Sequence, residues 1–449
     1  MNNAISRRIA TNIISALKVG LIPPQGLNSV LVGRARELEV LTRDLDNIGD
    51  ASAFHFIVGK FGAGKSFLMN VARNYALENG FVVLTANLSP ENMLAGRRGL
   101  ETYREFMRNM LARGQASGGG VLRSALDKWI DSIRRDIGVS ADRSGRDTEV
   151  HRRAYDVVDS VAGNAISGYD LGRVVLCFWD ACNAGDGEKQ RNVLKWFKGE
   201  YERKAEAQND LGVNFIINED NWYNFIKVFA VFMQRAGYKG VFAAIDEVIN
   251  IYRLHSPVER LYNYEKLLSV YNDITRQNAP RMVFLACCAS QGMEDPDRGL
   301  YGYEALRLGV RRLNETNALG PSADGGPSAD GGLSADGGLS ADGGLSAVMR
   351  IDALPKEELP LYLGKVADIY YSCYGYNKKI LSGDISIFLN KEYERIDADG
   401  RITLREITRD FICLLDLLRE YPSKHVADLC KYYIAYATVR DDPMEHEIF

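Results

Sequence analysis

Residues 54–66 read Phe-His-Phe-Ile-Val-Gly-Lys-Phe-Gly-Ala-Gly-Lys-Ser, a short apolar run that passes at once into Gly59-x-x-x-x-Gly64-Lys65-Ser66. The spacing is that of a phosphate-binding loop, and such a loop needs a buried strand before it and a helix after it. Phe54–Val58 predicts the strand, and Phe67–Ala76 predicts the helix. Glycines at 59, 62 and 64 let the backbone turn so that its N–H groups converge on phosphate oxygens. The helix N-terminus adds a partial positive charge and Lys65 a full one, while the Ser66 hydroxyl suits Mg²⁺. The expected phosphate-binding set is Gly59, Lys60, Phe61, Gly62, Ala63, Gly64, Lys65, Ser66 and Phe67. The fold class that follows is α/β, a P-loop NTPase core built on a parallel sheet.

A loop of this kind works with an acid at the end of a second strand. Residues 239–247, Lys-Gly-Val-Phe-Ala-Ala-Ile-Asp-Glu, supply one: five apolar residues ending in Asp246-Glu247. Asp246 is the candidate metal ligand together with Ser66, and Glu247 the candidate group that polarises the attacking water. The paired acids suit a hydrolysing ATPase. No Asn-Lys-x-Asp guanine-reading motif is present, which favours ATP, with Mg²⁺ as its companion. A further apolar run, Arg281–Ser290, predicts another strand, with Ser290 its nearest polar terminus. Arg298, Arg307, Arg311 and Arg312 follow; of these Arg307 is the candidate for reaching a neighbouring subunit's γ-phosphate.

Several stretches together resemble a known family. They are Arg7-Arg-Ile-Ala with Gly20-Leu-Ile-Pro-Pro, Val32-Gly-Arg, Gly59–Phe67, and Gly80-Phe-Val-Val with Asn87-Leu-Ser-Pro-Glu91. Arg235-Ala-Gly-Tyr-Lys-Gly, Asn263-Tyr-Glu-Lys-Leu with Tyr271-Asn-Asp, and Glu294-Asp-Pro-x-Arg-Gly-Leu-Tyr-x-Tyr-Glu-Ala-Leu-Arg307 complete the set. They span nearly the whole chain, which resembles the ATP-binding proteins of BREX phage-defence loci (BrxD type), an ORC/Cdc6-like branch of AAA+ ATPases. The family has Gly-Thr-Pro-Glu before Glu294, where this chain has Cys288-Ala-Ser-Gln291. That departure falls on the strand end whose polar residue orients water in AAA-type ATPases, and it bears on hydrolysis rate.

The resemblance implies a three-layer core with a large helical insertion and an all-α C-terminal lid. The expected division is 1–28 as an N-terminal helical segment, 29–91 with 236–319 as the ATPase core, and 92–235 as the insertion. Residues 320–347 would form a linker and 348–449 the lid. The Val32-Gly33 pair lies where adenine-clasping relatives bring backbone to the base, and Arg405 in Thr403–Phe411 is the sensor-2 candidate. Implied partners are ATP, other defence-system proteins such as a helicase, DNA through those partners, and further copies of the chain.

The remaining segments read more simply. Apolar residues recur at helical spacing from Tyr103 to Leu111, Val121 to Ile130, Leu359 to Ile369 and Ile407 to Leu418, and Glu37–Leu45 predicts a helix too. Gly114–Gly120 and Ser140–Asp147 read as loops, and Val348 onward as the opening of a helical region. Met107, Met110 and Leu111 form a packing face. Residues 320–347 repeat with period six, Gly-Pro-Ser-Ala-Asp-Gly and then Gly-Leu-Ser-Ala-Asp-Gly, and hold almost nothing to bury. This is a linker composition, and the period is too short for a calcium-binding roll. Asp397–Glu406 imitates the second half of an EF-hand loop, but Arg395 stands where the first Asp ligand is needed.

Composition narrows the classes further. The 449 residues carry a net charge of −4, so no global field draws the chain to nucleic acid or an anionic membrane. DNA binding by the chain alone is expected to be weak and salt-sensitive. Seven cysteines without a Cys-x-x-Cys pair suit a reducing compartment, and five scattered histidines offer no metal or acyl-transfer constellation. Met1–Gly20 lacks the apolar core of a signal peptide, and no 18-residue apolar run follows, so a cytoplasmic protein is expected. Two functions fit: an ATP-hydrolysing protein of a defence or DNA-processing complex, or a slow nucleotide-dependent switch that assembles partners.

Overall fold

The structure, a computed structural model, describes residues 5–49, 51–115, 119–137, 143–161, 166–303, 348–375, 380–399 and 403–430. Five parallel strands form one sheet among these: β1 (Ser52–Gly59), β2 (Val82–Asn87), β3 (Val241–Asp246), β4 (Met282–Ala289) and β5 (Val348–Arg350), in the order β2-β3-β4-β1-β5. Every residue of β3 and β4 is buried, and only Ala53 in β1 is not. Such buried, mainly apolar runs, with Ser52 and His55 the polar members of β1, are what a parallel sheet covered by helices requires. The register aligns Gly59 with Ala289, Ile245 with Ala286, and Asn87 with Asp246. All strands run the same way, so Gly59, Asn87, Asp246 and Ala289 stand at one edge of the sheet.

The chain divides into two compact units. One comprises Glu39–Gly59 and Ala72–Ile351, and holds the whole sheet. Phe54 of β1 stacks on Phe284 of β4 with ring centroids 5.3 Å apart and meets Tyr271 edge-on at 5.3 Å. Between β2 and β3 run α4 (Arg97–Arg108), α5 (Gly119–Ile137), α6 (Arg143–Asp159), α7 (Gly168–Ala184), α8 (Gly187–Phe197), α9 (Lys204–Leu211) and α10 (Trp222–Arg235). Their aromatic residues Trp129, Trp196, Phe197, Phe225 and Phe232 pack on one another, and Met107 and Met110 are wholly buried among them. After β3 come α11 (Ile249–Arg253) and α12 (Pro257–Thr275), and after β4 comes α13 (Ser290–Glu294).

The other unit comprises Met1–Leu38, Lys60–Val71 and Asp352–Phe449. Its helices are α1 (Arg7–Lys18), α14 (Leu359–Tyr374), α15 (Ser382–Asp399) and α16 (Leu404–Glu420), whose core is built from Ile13, Ile14, Leu363, Val366, Tyr370, Phe388, Phe411 and Leu415. Helix α2 (Ala35–Asp46) and helix α3 (Lys65–Glu78) each begin in this unit and end in the other.

Two expectations are corrected. Val348–Arg350 do not open a helix; they form strand β5, paired parallel to β1 from Phe56↔Val348 to Val58↔Arg350. Three residues are too few to show a period, and only the free edge of β1 defines them as a strand. Residues 143–147 are the first turns of α6 and not part of a loop. Arg146 pairs there with Asp147 and with the distant Asp180 at 2.8 Å, and packs on Trp179. The hexapeptide repeat lies outside the described residues. Of the EF-hand lookalike, residues 397–399 belong to α15, and 400–402 lie outside the described residues.

Candidate nucleotide site

Strand β1 delivers the chain to the phosphate loop at Gly59, and α3 begins at Lys65, so the strand–loop–helix order demanded by the motif is present. Gly62 and Gly64 have φ of +80° and +94°, the left-handed region in which a side chain would be strained. The Ala63 N–H donates to the Lys60 carbonyl at 3.2 Å, closing the turn. Lys65 Nζ donates to the same carbonyl at 2.9 Å and stands 5.4 Å from the Phe61 ring centroid. Phe61 is exposed, whereas Phe67 packs on the core of the C-terminal helices. Asn70 donates to the Ser66 carbonyl at 2.7 Å, one turn into α3.

The unit that holds Lys60–Val71 surrounds the loop with residues distant in sequence. Arg34 donates from Nη2 to the Ala63 carbonyl at 2.9 Å and to the Asp352 carbonyl, and its Nη1 lies 3.4 Å from Glu37. Gly33 has φ +68°, and any Cβ there would strike the Glu358 carboxylate. Val32 packs against the helical core. The side chain of Thr403 lies against Gly62, with its methyl 3.4 Å from where a Cβ would stand. Thr403 also caps α16 in a reciprocal box with Glu406, which fixes the first turn that carries Arg405. Arg405 is exposed at its tip, and its stem runs along Gly20, where an added Cβ would stand 2.9 Å from Cδ. Thr403, Glu358 and Arg34 were assigned no role by sequence reasoning; the Val-Gly-Arg motif was the one available signal, and it pointed at its first two residues.

The sheet unit holds the acids. Asp246 closes β3 with 8% of its surface exposed, and its Oδ1 accepts the Glu247 N–H at 2.8 Å. Glu247 follows in the left-handed region, φ +57°, with its side chain exposed. Strain of this kind in a residue other than glycine is concentrated at functional sites. Asn87, beside Asp246 in the register, is exposed at the end of β2 and donates its N–H to Glu105 at 3.0 Å. Ser290, half-buried, is the first residue of α13 after the buried apolar end Cys287-Cys288-Ala289.

Arg298 is held inside the same unit. Its guanidinium donates to the carbonyls of Tyr252 and Leu254, both at 3.1 Å, and lies over the Tyr252 ring. The backbone N–H groups of Arg298 and Asp297 hold the Asp295 carboxyl below the usual carboxylate range. The segment Glu294–Arg298 thus ties α13 to the turn after α11. Arg307, Arg311 and Arg312 lie outside the described residues.

All seven cysteines are free thiols. Among the described residues no helix is long and apolar enough to cross a membrane. Comparison with curated proteins gives no match. The family model described as BREX system ATP-binding protein BrxC/D matches residues 5–321 and 338–433, nearly the whole chain, and the chain belongs to that family.

Proposed function

We propose that the protein binds ATP with Mg²⁺ on Gly59–Phe67 and hydrolyses it, acting beside the other proteins of a BREX phage-defence system. The observation that carries hydrolysis is Glu247: an exposed carboxylate, held in a strained backbone conformation directly after a buried acid at the carboxyl end of β3. Gln277 and Arg281 share this φ region, so it is the place of Glu247, directly after Asp246, that makes its strain point to function. The strand order supports an AAA+-type core, because β4 lies between β1 and β3 and ends at Ala289, next to Ser290.

Each residue has a role that its chemistry supports. The loop N–H groups and Lys65 bind the phosphates, and the oxygens of Ser66 and Asp246 are the hard donors that Mg²⁺ prefers. When bound, Mg²⁺ neutralises charge that develops on the phosphoryl oxygens. Glu247 orients water and draws its proton, with Ser290 as the second polar group. Val32 and Gly33 lie against the base. Arg405, projecting from the first turn of α16, closes on the γ-phosphate, and Arg307 acts on a neighbouring copy, which implies a homo-oligomer. A helicase of the system is the proposed protein partner, with DNA reached through it.

Steady-state ATPase rates of the full chain, with and without DNA, test this reading. Lys65→Ala should abolish binding. Glu247→Gln should retain it while slowing turnover about 100-fold or more, the contribution of a positioned base. Turnover by the wild type no faster than by Glu247→Gln would leave a nucleotide-dependent switch as the function. One observation favours that second reading: Ser290 sits in a helical turn beyond an apolar strand end.

A further inference from the structure

Arg34 is a side chain that links two backbone segments far apart in sequence. Both bonds come from one nitrogen: Nη2 donates to the Ala63 carbonyl of the phosphate loop at 2.9 Å and to the Asp352 carbonyl, which precedes α14. The side chain is only 11% exposed and its bond to Ala63 is partly buried, so water competes weakly there, while the bond to Asp352 lies at the surface. The Ala63–Gly64 peptide is trans. In a trans peptide the carbonyl and the following N–H point in opposite directions. A guanidinium on the Ala63 carbonyl therefore fixes the direction of the Gly64 N–H, which faces away from Arg34, and polarises it as a donor. The Ala63 N–H is committed to Lys60, so Gly64 supplies the anion-facing donor at this corner.

We propose that Arg34 is a positioning residue that couples anion binding at Gly64 to the docking of residues 352–363. An anion on the Gly64 N–H increases the negative charge on the Ala63 carbonyl and strengthens its bond to Arg34. The fixed guanidinium then holds the Asp352 carbonyl, and with it the entry to α14. Coupling of this kind is reciprocal: whatever displaces residues 352–363 weakens nucleotide binding by the same factor. The inference rests on the ATP-binding reading above but assigns a residue and a direction of regulation that the motif does not contain. Glu358, four residues before the end of this segment's first helical turn, sits against Gly33, so the neighbour of Arg34 in sequence meets the same segment.

The test uses the full chain, with ATPγS and Mg²⁺ as the ligand. Affinity is measured for the wild type, Lys65→Ala, Arg34→Ala and Arg34→Lys, and amide hydrogen exchange is followed over residues 352–363, with 404–420 as the internal reference. Wild-type exchange over 352–363 should slow when ATPγS is added. Arg34→Ala should bind about tenfold more weakly, the value of one charge-assisted hydrogen bond, and lose that slowing. Arg34→Lys keeps the charge without the fork and should recover affinity more than the coupling. Wild-type affinity in a folded Arg34→Ala, or an ATPγS-bound wild type with unchanged exchange at 352–363, would overturn the proposal and leave ATP binding standing. A wild type that binds no better than Lys65→Ala would remove the ATP reading itself, and the proposal with it.

Discussion

Glu247 occupies a backbone region that costs an L-residue about 1–3 kcal/mol, and it lies at the mouth of the strand that carries Asp246. Replacing it by glycine removes the strain along with the carboxylate. Glu247→Gly should therefore raise the stability of the nucleotide-free protein by roughly 1 kcal/mol while eliminating turnover. Glu247→Gln retains the strain and should melt where the wild type does. Thermal melting beside ATPase assays separates the two, and a lower melting temperature for the glycine variant would contradict the strain argument. The place of Asp246-Glu247 at the end of a buried strand was legible, since the run before it is apolar. Its φ was not legible, because side-chain chemistry does not encode a left-handed glutamate. Arg34 was hidden for another reason: one of its partners is 318 residues away and is a backbone carbonyl, which any residue type would offer.

Strands β1, β3 and β4 could be read from sequence because a parallel strand buried on both faces is a mainly apolar run. Strand β5 could not, and neither could the start of α6, where Arg146 depends on Asp180 from α7. Helix α6 also carries a titratable device. Glu149 accepts hydrogen bonds from Arg152, and from Arg153 at 2.7 Å, which bring its carboxyl from the ordinary 4.5 to about 2. A depressed carboxylate stabilises the fold above its unfolded value and stops doing so as pH falls through the folded one. Helix α6 should thus lose support between pH 4.5 and about 2, visible as faster exchange of its amides. Glu149→Gln should exchange alike across that window; an unaltered pH profile in this variant would remove Glu149 as the cause. At the other end of the chain, Thr403→Ala deletes the box that starts α16 and should cost about 1 kcal/mol by melting. ATPγS affinity should fall as well, since Thr403 backs Gly62; unchanged affinity would detach this cap from the loop.

At the scale of the whole molecule, the family match and the internal repeat constrain each other. The match runs to residue 321 and resumes at 338, so the interruption falls wholly within the hexapeptide tract 320–347. Strand β5 begins at Val348, directly after the tract. In sequence the tract is Ser, Ala, Asp and Gly with five Pro or Leu positions. The tract precedes β5, which pairs with β1, so a change in its length tests whether that pairing depends on it. Loop-closure entropy varies only with the logarithm of length, so removing two repeats, residues 327–338, should alter stability by on the order of 0.3 kcal/mol. ATPγS affinity should stay within twofold of the wild type, and the melting temperature within about 2 °C. A deletion that abolishes nucleotide binding while the isolated Lys65→Ala variant still folds would show that the tract holds a structural or ligand-binding role. If the deletion is tolerated, the repeat serves only to span a distance, and β5 takes its place on β1 because of the pairing that Val348–Arg350 make there.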